Sequence, residues 1–145
     1  MPFGRNELLI AGAVLVIALL VATPLMLSSG LAGRLSEVRD QVESLRAAQL
    51  DHREAFGTYV GAASAPRTPA ELGPDPVAWK PARGFERLAW APEPRQAVYA
   101  SFAVAITEGG FRITGTSDLD GDGERAVIEA TQDAPANAVS PPGVY

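Results

Sequence analysis

Residues 31–57 read LAGRLSEVRDQVESLRAAQLDHREAFG. Leu31, Leu35, Val38, Val42, Leu45 and Gln49 recur at steps of four and three, a spacing that lines one face of an α-helix. Glu37, Arg39, Asp40, Glu43 and Arg46 fill the other side, and Gly57 suits the helix end, where a glycine adopts the left-handed conformation freely. Such a stripe has two uses. One is a two-stranded coiled coil, for which fewer than three heptads is short. The other is to cover one face of a small sheet. The sequence on either side weighs between them.

Upstream, MPFGRNELLIAGAVLVIALLVATPL opens the chain, and Leu8–Leu27 carries no charge. Twenty residues rising about 1.5 Å each span roughly 30 Å, the thickness of a bilayer core. A secretory signal has a shorter apolar core and an A-x-A cleavage site, and neither fits here. The run therefore predicts a retained transmembrane helix in residues 1–30. Joined to the amphipathic stretch 31–57, it makes one helix of about fifty residues, some 75 Å long. Pro24 withholds a backbone bond from the Leu20 carbonyl, and Ser28, Ser29 and Gly30 follow as a soft point. Arg5 precedes the run, and Arg34 and Arg39 follow it, partly offset by Glu37 and Asp40, so charge orients it weakly. The short head is the easier part to leave in the cytoplasm. That predicts a single-pass inner-membrane protein with its C-terminal domain outside the cytoplasm.

The net charge of −5, with no cluster of lysine or arginine, argues against nucleic-acid binding. The absence of cysteine removes disulfides, zinc–thiolate sites and thiol nucleophiles. His52, the one histidine, sits among Asp51, Arg53 and Glu54 on the polar side of the helix, a surface position. No Ser/His/Asp set and no phosphate loop is present, and the chain is not read as an enzyme. Trp79, Trp90 and Tyr99 read as core and sheet-face residues.

Downstream, Pro66, Pro69, Pro74, Pro76 and Pro81 make 61–83 a loop wrapping the domain surface. The period then changes to two. GFERLAW (84–90) reads as a first strand. QAVYASFAVAIT (96–107) is the clearest strand, with Val98, Ala100, Phe102, Val104 and Ile106 on one face and Tyr99, Ser101 and Thr107 on the other. Glu108–Gly110 reads as a hairpin turn. FRITGTS (111–117) follows with Phe111 and Ile113 inward, then RAVIEATQ (125–132) with Ala126 and Ile128 on one face. The sheet thus occupies 84–132, and the Pro-rich tail 133–145 reads as loose. The prediction is an α+β fold: a long N-terminal helix, its first half membrane-spanning, packed on an antiparallel sheet of three to four strands. Residues 31–145 form one domain outside the membrane.

This order of parts resembles type IV pilins and the pseudopilins of type II secretion. In that family an apolar helix begins the mature protein, with an aromatic residue first, a glutamate close behind, and a proline seventeen positions after the glutamate. Glu7 and Pro24 have that spacing, and Phe3 falls at the first mature position. LRAAQLDHREAFGTYV is similar to the end of the pilin helix, and DLDGDG between strands is common in pilin-like domains. The family's leader ends in glycine. Phe3 as first residue puts Pro2 at that place, whereas a leader ending at Gly4 makes Arg5 the first residue and sets Glu7 and Pro24 two positions early. The resemblance implies a structural subunit of a pilus or secretion pseudopilus. Its partners would be copies of itself or other pilin-like subunits, the inner membrane and the assembly machinery, and a cell-surface filament is a further location. Glu7 would pair with the terminal amine or Arg5 of a neighbour, which sets axial register; alone, it would sit hydrated at the headgroups. Pro24 would let the helix loosen as subunits leave the bilayer. The alternative is an unprocessed, single-pass accessory or scaffolding protein of the envelope.

SDLDGDGERAVIE (117–129) matches a calcium loop at Asp118, Asp120, Asp122, Gly123 and Glu129, with the backbone carbonyl of Glu124 as a further ligand. Hard cations take several oxygens, and carboxylates at alternate positions turn inward as a loop coils. Strands flank the loop, which argues against an EF-hand. A calcium-binding strand–loop–strand and a plain Asp/Gly-rich turn both stay open.

Overall fold

The computed structural model describes residues 5–93 and 97–145, and for 5–29 the backbone alone. Helix α1 runs from Arg5 to Phe56, through the segment 28–30 expected to be soft. The side chains of the predicted membrane run Leu8–Leu27, and those of Arg5, Glu7 and Pro24, lie outside what is described, as do Pro2, Phe3 and Gly4 altogether. Among the residues described in full, no helix is long and apolar enough to cross a membrane.

The striped half of α1 lies on a sheet. Val38, Val42, Leu45 and Gln49 are buried, and Leu35 packs at the margin. Gly57 ends the helix with φ +78° and gives its N–H to the Arg53 carbonyl at 2.8 Å, the left-handed cap that only glycine adopts without strain. After α1 come β1 (Ala62–Ala65), a single 3₁₀ turn at Pro69–Glu71, β2 (Val77–Ala78), α2 (Arg83–Arg87) and β3 (Ala97–Val98). Then β4 (Ala100–Thr107), β5 (Gly110–Ser117), β6 (Ala126–Thr131) and β7 (Asn137–Ala138) follow. The main sheet is five-stranded and antiparallel, ordered β1-β4-β5-β6-β7, and β2 pairs with β3 apart from it. Helix α1 crosses β5 and β6.

Alternation places the core as expected along β4 to β6. Ala100, Phe102, Val104, Phe111, Ile113, Ala126, Ile128 and Ala130 are buried, while Arg112 is exposed. Ile106 departs from the pattern and is 52 % exposed, because it stands at the hairpin tip beside the Glu108–Gly109 turn. Gly115 sits where the helix comes closest: a Cβ there would lie 2.5 Å from Val42 Cγ2.

Four expectations need correction. The sheet has five strands rather than three to four, because both margins are extended by segments read as irregular. Residues 61–83 supply β1 and β2. All the prolines of that stretch lie outside the two strands, so none removes a ladder hydrogen bond. GFERLAW is not a strand: it holds α2, with Ala82 as N-cap. Phe85, Leu88 and Trp90 satisfy neither period clearly over seven residues, and packing decides. Phe85 and Trp90 join Trp79 and Phe102 in an aromatic cluster with ring centroids 5.4–6.3 Å apart. Gly84 lets the helix press against the backbone of Gly61 and Ala62. Finally, the tail 133–145 is tied down, through β7 on β6 and bonds described below.

The helix's polar residues are also structural. Arg46 Nε donates to the Thr131 carbonyl at 2.7 Å and Nη2 to that of Gln132 at 3.1 Å, and Glu43 Oε2 accepts the Ala136 N–H at 2.7 Å. Gln41 Nε2 donates to the Glu93 carbonyl at 2.9 Å. Arg46 and Glu43 thus close the backbone groups where β6 ends and the tail begins. His52 Nδ1 donates to the Thr58 carbonyl at 2.8 Å, and its ring stacks near Phe56.

Candidate metal centre

Strand β5 ends in the buried residues Thr116 and Ser117, Asp118 follows them into the interior, and the chain then turns through 119–125 before β6. The turn is built by two left-handed glycines, Gly121 at φ +74° and Gly123 at φ +88°. Between them, side-chain carboxylates cap the backbone two residues on. Asp120 Oδ1 accepts the Asp122 N–H at 3.4 Å, and Asp122 Oδ1 accepts the Glu124 N–H at 2.7 Å. This is how short acidic side chains stabilise a tight loop.

The winding brings one carboxylate oxygen from each of Asp118, Asp120 and Asp122 within 4.8 Å of one another. Asp120 and Asp122 are exposed, but Asp118 is only 4 % exposed. Its Oδ1 and the neighbouring Ser117 Oγ are buried without a hydrogen-bond partner. A buried carboxylate oxygen lacking a donor is costly unless a cation serves it. Oxygen-only donors, charged and closely grouped, suit a hard divalent cation such as calcium.

One of the expected ligands stands differently. Glu129 is the fourth residue of β6, opposite Thr114, and its carboxylate is 4.0 Å from Arg112 Nε. A strand in regular pairing cannot bend its side chain back to the loop, so the twelve-residue spacing of a calcium loop fails at its last position. Glu124 stays in the loop, bound through its N–H to Asp122. Arg125, which follows, turns away to donate from Nε to the Pro69 carbonyl at 2.7 Å.

Two participants escaped sequence reasoning. Ser117 is fully buried beside Asp118, and alternation alone places it on the strand without its surroundings. Leu119, between two of the aspartates, is 2 % exposed and gives its N–H to the Tyr145 carbonyl at 2.8 Å. No local pattern relates residues so far apart in the chain. No family model, curated protein or solved structure matches this chain.

Proposed function

We propose that the chain is a pilin-like structural subunit. Its apolar N-terminal helix packs with neighbouring subunits, and its head domain is steadied by a divalent cation at Asp118, Asp120 and Asp122. The observation that carries the first part is the division of α1. One helix runs from Arg5 to Phe56, and within its part described in full, from Gly30 on, burial against the sheet begins around Leu35 and Val38, with Gly30 and Ala32–Arg34 exposed. The apolar stretch Leu8–Leu27 lies in the same helix, upstream of the stripe that covers the sheet. Twenty uncharged, largely apolar residues in one helix suit a bilayer or packing against copies of themselves. Glu7 at its mouth supports pairing between subunits, since a carboxylate among apolar helices needs a cationic partner.

Intact mass of the protein from its native membrane tests this reading. Loss of Met1 and Pro2 with one added methyl, or a chain starting at Arg5, supports pilin-type processing. Glu7→Ala then abolishes assembly into filaments while leaving membrane insertion intact. A chain that keeps its leader, and is indifferent to Glu7→Ala, points instead to an anchored accessory protein. For the cation, calcium at 100 times its dissociation constant stabilises the fold by about 2.7 kcal/mol. Asp118→Asn removes that shift. Equal melting temperatures of the parent protein in calcium and in EDTA would dispose of the site.

A further inference from the structure

The tail beyond β7 crosses the molecule beside the aspartate loop. Val139 N–H bonds to the Val127 carbonyl at 2.9 Å, and Ser140 Oγ accepts the Val127 N–H at 3.2 Å, which anchors the near end on β6. Pro141 and Pro142 then carry no N–H to give. Gly143 turns at φ +88°, and Val144 N–H closes the turn on the Pro141 carbonyl at 3.4 Å. On one side a groove separates this turn from Leu35, Ser36 and Arg39 of α1. On the other a second groove separates it from Glu124 and Arg125 at the end of the loop. With open space on both flanks, the turn is positioned by its two ends. The far end is the hydrogen bond from Leu119 N–H to the Tyr145 carbonyl.

That bond leaves the loop from the peptide between Asp118 and Asp120. A cation bound by those two carboxylates fixes the orientation of the intervening peptide, and with it the direction of the Leu119 N–H. Three carboxylates within 4.8 Å repel one another when nothing lies between them. The exposed pair, Asp120 and Asp122, can swing apart, and the peptide at Leu119 turns with them. We propose that the loop and the segment 139–145 form one coupled element: cation binding locks the tail as a strap beside the base of the α1 stripe, and cation loss releases it. The inference rests on the cation reading above. Its consequence for the subunit is local to the region where α1 leaves the sheet: the strap sets how much of the face at Leu35, Ser36 and Arg39 is covered.

Coupling is reciprocal, so disturbing the strap must weaken the cation. Gly143→Val provides the perturbation. It touches no loop residue, and no atom stands within 4 Å of its new Cβ, but a β-branched residue does not hold φ +88° and re-aims Tyr145. The measurement is calorimetric titration of calcium into the 145-residue chain, with circular dichroism in EDTA to verify an unchanged fold. Hydrogen exchange at Leu119, Val144 and Tyr145 is read with and without calcium. Gly143→Val is expected to raise the calcium dissociation constant roughly fivefold or more, the lower end of ordinary coupling. Calcium is expected to slow exchange at all three amides in the parent protein and at none of them in Asp118→Asn. Equal affinities in parent and Gly143→Val, with protection confined to the loop, overturn the strap and leave the cation site standing. No calcium binding by the parent protein removes both.

Discussion

Replacing Gln49 by methionine is the most direct test of how the helix is joined to the domain. Gln49 is fully buried, and Val60 is 1 % exposed. The amide Nε2 donates to the Val60 carbonyl at 2.6 Å and Oε1 accepts the Val60 N–H at 3.0 Å, so one side chain serves both backbone groups of a buried residue as a neighbouring strand would. Methionine keeps the length and approximate volume and removes both polar ends. Each buried backbone group left unpaired costs about 1–3 kcal/mol, so the pair loses about 2–6 kcal/mol. The extra apolar burial returns about 1 kcal/mol. A net loss of about 3 kcal/mol is expected, which lowers the melting temperature of a domain this size by roughly 10 °C. Urea denaturation followed by circular dichroism measures it, with the slope against denaturant unchanged. Gln49→Glu is the companion variant. It keeps the acceptor for Val60 N–H but sets a carboxylate against the Val60 carbonyl. Its loss is larger at neutral pH and shrinks on acidification, as protonation restores a donor. A loss below about 1 kcal/mol for Gln49→Met would mean that the Val60 groups find other partners and that the side chain merely fills space.

Three further outcomes follow from the same geometry. Gly115→Ala places its Cβ 2.5 Å from Val42 Cγ2, and the β-branched valine has little rotamer freedom in a helix, so about 1–3 kcal/mol is lost. Adding Val42→Ala recovers part of that loss, and a double-mutant cycle that shows strict additivity would refute the contact. Arg46→Ala strips charged donors from the Thr131 and Gln132 carbonyls and costs about 1.5–3 kcal/mol, with hydrogen exchange accelerated at the end of β6 and in the tail. Glu71 carries a carboxyl held below its ordinary value, first by the Thr68 hydroxyl at 2.6 Å and then by the Thr68 N–H at 3.0 Å. Because the folded value is the lower one, the turn's stabilisation is complete above the ordinary glutamate range and fades as pH falls through the lowered value. An amide titration should therefore show Thr68 shifting at a pH below that of a free glutamate. A midpoint at or above the ordinary value would contradict the bond.

The proposed cation site and the helix register are related in a simple way. Strand β5 lies under α1 through Gly115 and ends at Ser117, and Asp118, three residues past Gly115, opens the loop. The strand that supplies the close approach for Val42 leads directly into a buried carboxylate.

The sequence by itself determined what depends on periodicity. The stripe from Leu35 to Gln49, the alternation from Ala100 to Ile113, the Glu108–Gly109 turn and the grouping of the three aspartates are all local patterns, readable because side-chain direction repeats every 3.6 or every two residues. The α+β order followed from them. What the tertiary structure alone decided are pairings between distant segments and short runs that satisfy no period. Phe85 lies in a short helix and Trp90 just beyond it because an aromatic cluster receives them there. Ala62–Ala65 is a strand because the margin of β4 has backbone groups to pair, and Asn137–Ala138 is one because β6 does. Gln49 could be read as the residue that ends an apolar stripe, since its chemistry is polar. Only the presence of Val60 makes its burial favourable. Glu129 matched a spacing, but regular strand pairing holds it opposite Thr114 and away from the loop, and Tyr145 reaches Leu119 by a route that no motif encodes.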